Sequence, residues 1–207
     1  MHLKEILEQI VDNPQQHAKW LNTLSFMENA GARKISASED IEKVNLIILK
    51  HAAEEHRHAY YLKKQIGKIE EGICQNYENQ YLLAPKASKY YLNNLDVQAC
   101  KYLKRELNLV GAELRFAAYL LVTYAIEVRA DDLYPIYQDI LTKTASKVMV
   151  KSIILEEEGH LEEMINQLKA FSPVWEKHAQ IAVDIEHQLF EYWMTQLELE
   201  LNLEFID

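Results

Sequence analysis

The chain has 207 residues and a formal net charge of −10, with 49% hydrophobic and 26% charged residues. This length suits one hydrophobic core and a single domain over residues 1–207. The acidic balance disfavours a general nucleic-acid binder, because binding to phosphate backbones needs clustered lysine and arginine. Two cysteines without a CxxC motif exclude a four-cysteine zinc site and a rubredoxin-type iron site.

The chain also lacks the patterns of secreted and membrane proteins. Its N-terminal stretch MHLKEILEQI is amphipathic and carries acidic residues, unlike a signal peptide. No apolar run reaches the roughly 18 residues that a membrane span needs. We therefore expect a cytoplasmic protein. Five glycines and four prolines are too few for the many tight turns of an all-β fold, so an all-α fold is expected.

The first half of the chain contains three predicted helices. Apolar residues at helical spacing predict a short N-terminal helix, and Asn13-Pro14 is typical of the N-cap and first residue of a second helix, ending near Lys34. The capping-box sequence SASE, residues 36–39, predicts the start of a third helix that runs to about Glu71.

A long crossover connection is predicted over residues 72–95, which contain Gly72, Pro85 and an Asn-Asn pair. A fourth helix is expected from about Asp96 to Ala130, with a kink or an end at the following DDLYP. A fifth helix covers roughly residues 145–169.

Ser172 and Pro173 predict the N-cap and first residue of a long C-terminal helix, about 173–204. Within it, leucine alternates with polar residues over 196–205, which is a strand period. We interpret this segment as an extended tail that packs on a partner subunit, consistent with a homodimer.

Two Glu-x-x-His motifs occur, Glu55 to His58 and Glu157 to His160. Each follows a lone glutamate within an apolar helix, Glu28 by 27 residues and Glu127 by 30. Any one of these residues alone would more often be structural. Together they form a repeat, because adding 99 to Glu28 gives Glu127 and adding 102 to the first motif gives the second.

The phase of the two motifs places both glutamates among apolar residues. Glu55 shares a helix face with apolar residues at helical spacing, and so does Glu157. The first face comprises Val44, Ile48, Ala52, Ala59 and Leu62, and the second comprises Val150, Ile153, Leu161, Met164 and Leu168. An ionised carboxylate is costly in such a stripe unless it is paired or bound to a metal.

One Glu on each of two helices and Glu-x-x-His on each of two others is a ligand set for a two-metal site in a four-helix bundle. Four carboxylates balance two divalent cations in charge. Oxygen and imidazole ligands without thiolate suit iron or manganese, singly or mixed, and zinc less well.

On these motifs, residues from about 15 to 169 resemble the ferritin-like di-iron carboxylate superfamily. The resemblance implies a four-helix bundle with a long crossover connection, to which the sequence pattern adds a short N-terminal and a long C-terminal helix. It implies bridging roles for Glu55 and Glu157, with the terminal ligands being Glu28, His58, Glu127 and His160. It also implies that Glu156 hydrogen-bonds His58 and that Glu54 hydrogen-bonds His160, which would fix the histidine tautomers.

Other polar residues are assigned more modest roles. Tyr124 and Tyr61 are candidates for the wall of the metal cavity, although core packing is the commoner role of a tyrosine. We expect the residues of three further groups to be solvated or secondary, namely His51 and His56, Glu162 to Met164, and Asp184 to His187.

The resemblance implies an oxidase or oxygenase that uses two ferrous ions and O2 or peroxide. Such a hydroxylase would need an external electron donor and an apolar small-molecule substrate, for which Phe116, Leu120, Leu121 and Tyr124 could wall a pocket. Relatives of this type act on modified tRNA, on aldehydes and on other metabolites, and the net charge disfavours tRNA.

Two other functions stay open at this point. One is iron handling, either storage or rubrerythrin-like peroxide detoxification, although the long C-terminal helix and the missing CxxC pair argue against both. The other is a metal-free helical interaction module.

Overall fold

The computed structural model describes residues 3–40, 42–43 and 45–203, and over these ranges the protein is helical without a β-strand. The expected all-α bundle with a long C-terminal helix is confirmed. A single-turn 3-10 helix spans Asn79–Tyr81. The α-helices are α1 (Leu3–Asp12), α2 (Pro14–Ser38), α3 (Leu46–Ile66), α4 (Pro85–Leu107), α5 (Gly111–Lys143), α6 (Lys151–Phe171) and α7 (Trp175–Leu203).

Two helical pairs build the centre of the fold. Helix α2 packs on α3 and α5 packs on α6, and these two pairs form a four-helix bundle. Helices α4 and α7 pack on each other and on α5, while α1 packs on α2 and α5. The two bulkiest buried side chains lie where α2 meets α7. Trp20 of α2 stacks on Trp193 of α7, with 5.6 Å between the ring centroids. No helix among the described residues is long and apolar enough to cross a membrane.

The start of α2 follows the sequence prediction and the start of α3 does not. Asn13 caps α2 by accepting hydrogen bonds from the backbone N–H groups of Gln15 and Gln16. The capping-box prediction is wrong, because α2 continues through Ser38 and the Ser36 hydroxyl donates back to the Ala32 carbonyl. Asn45 instead caps α3, which ends at Ile66 rather than at Glu71.

The crossover is mostly helical, and the predicted helix 96–130 is two helices. Helix α4 begins at Pro85 and ends at Leu107, where Asn108 adopts a left-handed conformation with φ 54°. Gly111 has φ 57° and begins α5. Asn and Gly are the residues that tolerate this conformation, so the chain turns between them and α4 folds back along α5.

Two further boundaries differ from the predictions. Helix α5 does not end at DDLYP but continues through Pro135 to Lys143, and α6 begins at Lys151 rather than near 145. Helix α7 begins two residues after Pro173, and the Ser172 hydroxyl accepts from the Val174 N–H at 3.3 Å.

The predicted extended tail is also wrong as far as Leu203, since α7 is helical to that residue. Leu197 and Leu201 are both fully buried, whereas Leu199 is 52% exposed. Leucines at every second position are also four residues apart, which puts alternate leucines on one face of a helix. The chain is helical here because that face is buried. Glu204 and Phe205, the end of the predicted segment, lie outside the described residues.

Candidate metal centre

The bundle brings the six residues of the repeat into one cluster. Glu28, Glu55, His58 and Glu157 each offer a ligand atom within 4.8 Å of the others. Glu55, Glu127, Glu157 and His160 form a second group on the same criterion. Glu55 and Glu157 belong to both groups, so the arrangement is that of two adjacent ion sites with two shared carboxylates.

The four central helices supply these side chains symmetrically. Helix α2 carries Glu28 and α5 carries Glu127, while α3 and α6 each carry one Glu-x-x-His motif on the buried face. Glu55, His58, Glu127, Glu157 and His160 are all at least 93% buried, and Glu28 is half-buried. Side chains three residues apart on a helix lie on one face, which is why each motif points a carboxylate and an imidazole at the same place.

The histidine orientations fit a pair of metal ions. His58 donates from Nε2 to Glu156 at 2.8 Å, and His160 donates from Nε2 to Glu54 at 2.7 Å. These bonds join the residues that the resemblance pairs, and they leave both Nδ1 atoms facing the carboxylates. Nδ1 of His58 is buried and lies 3.1 Å from a Glu157 oxygen and 3.7 Å from a Glu55 oxygen, but it forms no well-aligned hydrogen bond within the described residues. Buried polar atoms rarely lack a partner, and an ion at this position would supply one.

Protons balance part of the charge when no metal is bound. Burial and the neighbouring Glu55 carboxylate raise the pKa of Glu28 well above its usual value, and burial with Glu157 does the same for Glu127. Burial alone would lower the pKa of His58, but the Glu157 and Glu55 carboxylates raise it to about 12. Burial would raise the pKa of Glu157, yet interactions with His160 and His58 outweigh burial and lower it. Divalent cations would therefore replace bound protons here.

A second layer of polar residues surrounds the histidines. Arg57 forms an ion pair with Glu156 at 2.5 Å, on the exposed side of α3. Of the two histidines expected to be solvated or secondary, His51 is fully buried and has a secondary position, whereas His56 is exposed. The Tyr119 hydroxyl donates to Nδ1 of His51 at 2.8 Å, and Nε2 of His51 donates to Glu163 at 2.9 Å.

The stretch Glu162 to Met164 is not a uniformly solvated face. Glu162 is exposed, but Glu163 is half-buried against His51 and Lys50, and Met164 is fully buried. The carboxylate of Glu163 therefore has a structural partner in α3 and helps to hold α3 beside α6.

The tyrosine that contacts the cluster is Tyr134, which sequence reasoning missed. Its hydroxyl donates a hydrogen bond to Glu28. Tyr124 and Tyr61 are both half-buried in the apolar clusters and do not line the cavity described below. Tyr134 lies seven residues, or two helical turns, after Glu127. The two side chains therefore lie on the same face of α5, but only because α5 continues through DDLYP.

The prediction that Asp184 to His187 lie on the surface is wrong for Glu186. Asp184 and His187 are exposed, but Glu186 is 1% exposed and pairs with Arg129 through two hydrogen bonds of 2.9 and 2.8 Å. Tyr91 donates to the same carboxylate at 2.7 Å. Glu186 thus joins α7 to α5 and α4 through a buried ion pair.

A cavity of about 320 Å³ opens from the cluster between α2, α4 and α5. Glu28, Glu55 and Glu127 line it, and Tyr134 lines it beside Glu28. Its α5 wall is formed by residues such as Ala118, Val122 and Ile126, so the face predicted to wall a pocket is wrong. The predicted residues, Phe116, Leu120, Leu121 and Tyr124, are on other sides of α5 and outside this lining.

The chain matches no protein-family model, no curated protein and no solved structure. The carboxylate and histidine cluster is compatible with a ferritin-like site, and this compatibility rests on the geometry of the residues themselves.

Proposed function

We propose that the protein is a di-iron carboxylate oxidase or oxygenase that uses O2 or peroxide to oxidise an apolar small molecule. The observation that carries this proposal is the continuity of the two ligand groups with the cavity. Three of the four carboxylates, Glu28, Glu55 and Glu127, are both in the ligand groups and in the lining of the cavity. A substrate in that cavity lies next to the ions, as oxidation requires.

The proposed ligand assignment follows the two groups. Glu55 and Glu157 would serve both ions, Glu28 and His58 would complete one site, and Glu127 and His160 would complete the other. Four ionised carboxylates and two divalent ions give a neutral centre, which suits a buried position. Iron is favoured, and manganese or a mixed pair satisfies the same donors; zinc suits them less well. When bound, the metal pair supplies redox chemistry toward oxygen that no side chain here can supply.

The remaining residues have supporting roles in this proposal. Glu54 and Glu156 fix the histidine orientation through Nε2 and leave Nδ1 directed at the cluster carboxylates, where an ion would bind. Tyr134 holds Glu28 by its hydrogen bond. The apolar cavity wall keeps bulk water from the centre. An external electron donor completes the reaction, and we propose a cytoplasmic location and a homodimer.

The test is metal analysis of the purified chain after expression with added iron, followed by anaerobic loading with ferrous iron and exposure to oxygen. The proposal expects about two ions per chain, as the ligand set implies, and an oxygen-dependent change in visible absorption. Fewer than one transition ion per chain would instead support a metal-free interaction module.

Iron handling is separated from oxidation by two further measurements. Storage predicts a large cage-like assembly on gel filtration and iron uptake well beyond two ions per chain. An enzyme predicts a monomer or dimer in which iron uptake stops when both sites are filled. The apolar cavity favours the enzyme, because iron ions travel along polar surfaces rather than apolar ones.

A further inference from the structure

The outer surface of α4 and α7 carries exposed apolar side chains away from the metal centre. Tyr90 of α4 and Tyr192 of α7 contact each other edge to face, with 5.4 Å between the ring centroids, and each residue is nearly half exposed. Val97 and Leu199 are exposed to a similar degree. Each lies seven residues after the tyrosine of its own helix, which puts it on the same helix face two turns away. The four side chains therefore form an apolar ridge across both helices.

The charged residues beside this ridge on α4 are lysines. Lys86 lies one turn before Tyr90 and Lys101 lies one turn after Val97, so both share the face of the ridge. Both lysines are exposed and form no ion pair within the described residues. The acid of this stretch, Asp96, lies on another side of α4 and pairs with a lysine of α2.

The charged residues beside the ridge on α7 are acids. Asp184 and Glu191 are both exposed, and no lysine or arginine occurs between residues 184 and 199. Lys177 lies two turns before Asp184, next to Glu176, and is outside this stretch. We refer to residues 86–101 of α4 and 184–199 of α7 as the α4–α7 patch. The patch is basic along one helix and acidic along the other.

We infer that a second copy of the chain binds to the α4–α7 patch and forms a homodimer with its twofold axis parallel to the two helices. This axis places α4 of each protomer on α7 of its partner, so that lysines face carboxylates. A twofold axis across the helices would place α4 on α4 and lysine on lysine, which repulsion disfavours. The inference rests on the homodimer that the proposed function includes, and it names the interface.

The proposed axis keeps each residue at its own height along the helices. Tyr90 and Tyr192 lie side by side in one chain, so they meet the same two residues of the partner in a cluster of four tyrosines. Helices α4 and α7 are antiparallel, because Ser88 contacts Trp193 and Tyr102 contacts His178.

The same geometry brings the opposite charges of the two protomers together. Lys86 lies about 6 Å along the axis from the height of Glu191, and Lys101 lies about 6–8 Å from that of Asp184. The flexible four-carbon stem of a lysine covers such a distance. The patch measures about 22 Å by 20 Å, which is small for an interface, so we expect a dimer that dissociates in the micromolar range.

Sedimentation equilibrium of the full-length chain tests the inference directly. The mass should rise from 24.2 kDa toward twice that value as the protein concentration passes through the micromolar range. Added salt should weaken the association, because the facing charges are solvent-exposed at the rim. A mass that stays at 24.2 kDa up to about 1 mM protein would overturn the inference.

A substitution at the centre of the patch locates the interface. Tyr192→Glu places four-tyrosine packing and a buried charge in conflict, and it should weaken the association about 100-fold. Tyr60→Glu is the matched control, because Tyr60 is at least as exposed but lies on α3. A dimer that survives Tyr192→Glu, or one that Tyr60→Glu disrupts, would place the contact on another surface and overturn the inference.

A charge swap determines which helix faces which. Lys101→Glu and Asp184→Lys should each weaken the association about tenfold, since symmetry repeats every pair twice, and the double variant should restore it. Lys64→Glu, at an exposed position of α3, should have no effect. If α4 packed on α4, Lys101→Glu would instead strengthen the dimer. That result, or a double variant no better than either single one, would overturn the inferred axis.

Metal analysis of the same variants separates this inference from the proposed function. The patch is remote from the ligand groups, so each variant should hold as many ions as the unaltered chain. If the chain holds two ions and reacts with oxygen but stays monomeric, only the interface fails. If it dimerises through the patch but holds no transition ion, the oxidase proposal fails and the interface remains.

Discussion

Replacing Glu28 or Glu157 by glutamine should have very different effects on the stability of the metal-free protein. Without metal, burial and the Glu55 carboxylate raise the pKa of Glu28 well above its usual value, which favours the neutral acid. Glutamine resembles a neutral acid, and Glu28→Gln should change the free energy of unfolding by less than about 0.5 kcal/mol. Glu157 is ionised between two histidines, with Nδ1 of His160 at 2.9 Å and Nδ1 of His58 at 3.1 Å.

Removing the Glu157 charge takes away the carboxylate nearest to Nδ1 of both buried imidazoles, which keep Glu156 and Glu54 at Nε2. Breaking a buried ion pair in this way costs about 3–5 kcal/mol, and we expect about 3 kcal/mol for Glu157→Gln because the amide still accepts one hydrogen bond. For a chain of this size that corresponds to a fall in Tm of about 6–12 °C. Thermal unfolding at pH 7 with a chelator measures it. Glu158→Gln is the control, since Glu158 is the exposed neighbour.

Metal titration of the same variants should reveal a defect in Glu28→Gln that the stability of the metal-free protein does not show. Each ion present at about 100 times its Kd should add about 2.7 kcal/mol to stability. Glu28 belongs to one ligand group, so Glu28→Gln should lose one ion and keep the other. Glu157 belongs to both groups, so Glu157→Gln should weaken both sites. Equal effects of the two variants on metal-free stability, or two tightly bound ions in Glu157→Gln, would refute this reasoning.

Three further outcomes follow from the same contacts. Glu156→Gln replaces the carboxylate that orients His58 and should lower metal affinity about 10- to 100-fold in titrations, without changing the number of ions at saturation. Metal affinity should rise with pH, by about tenfold per pH unit for each proton that the metal displaces. The reason is that the raised pKa values of His58 and Glu28 favour their protonated forms in the metal-free protein. Titration with Mn²⁺ at pH 6, 7 and 8 measures this dependence. Glu186→Leu removes the buried partner of Arg129, which among the described acids keeps only the exposed Asp132 at 3.6 Å, and should cost about 3 kcal/mol in urea unfolding, with metal content unchanged.

Each of these outcomes has a result that contradicts it. A Glu162→Gln protein, altered at an exposed position of α6, should keep full metal affinity; a loss equal to that of Glu156→Gln would mean that surface charge alone governs binding. Metal affinity that is constant from pH 6 to 8 would show that the cluster holds no protons. A stable Glu186→Leu protein would show that Arg129 finds other partners.

The sequence predicted the cluster well because its signal is periodic. Two repeats of a lone glutamate and a Glu-x-x-His motif lie in phase with apolar residues, and helical geometry alone puts them on buried faces. Any bundle that pairs those four helices brings the six residues together. The resemblance, rather than helical geometry, predicts the hydrogen bonds of Glu54 and Glu156 to the opposite histidines.

Local signals failed where tertiary contacts or competing caps decided the outcome. SASE has the composition of a capping box, but Asn45 caps α3, and Ser36 bonds within the preceding helix. Asn108 was one polar residue among many, and only its left-handed conformation reveals that α4 ends there. Glu186 looked like a surface acid because its partner, Arg129, is 57 residues away in sequence. A contact between residues so far apart in the sequence produces no periodic pattern from which it could be predicted.

The division of the ligands between the two helical pairs also has a consequence for folding kinetics. One group takes three residues from the α2–α3 hairpin and only Glu157 from the other, and the second group takes only Glu55 from α3. Neither hairpin can chelate an ion with a full set of ligands before the two have docked. Bound metal should therefore slow unfolding while leaving the folding rate almost unchanged, since its contacts form after the transition state. The lifetime of a newly made chain then depends on how soon metal reaches it after synthesis.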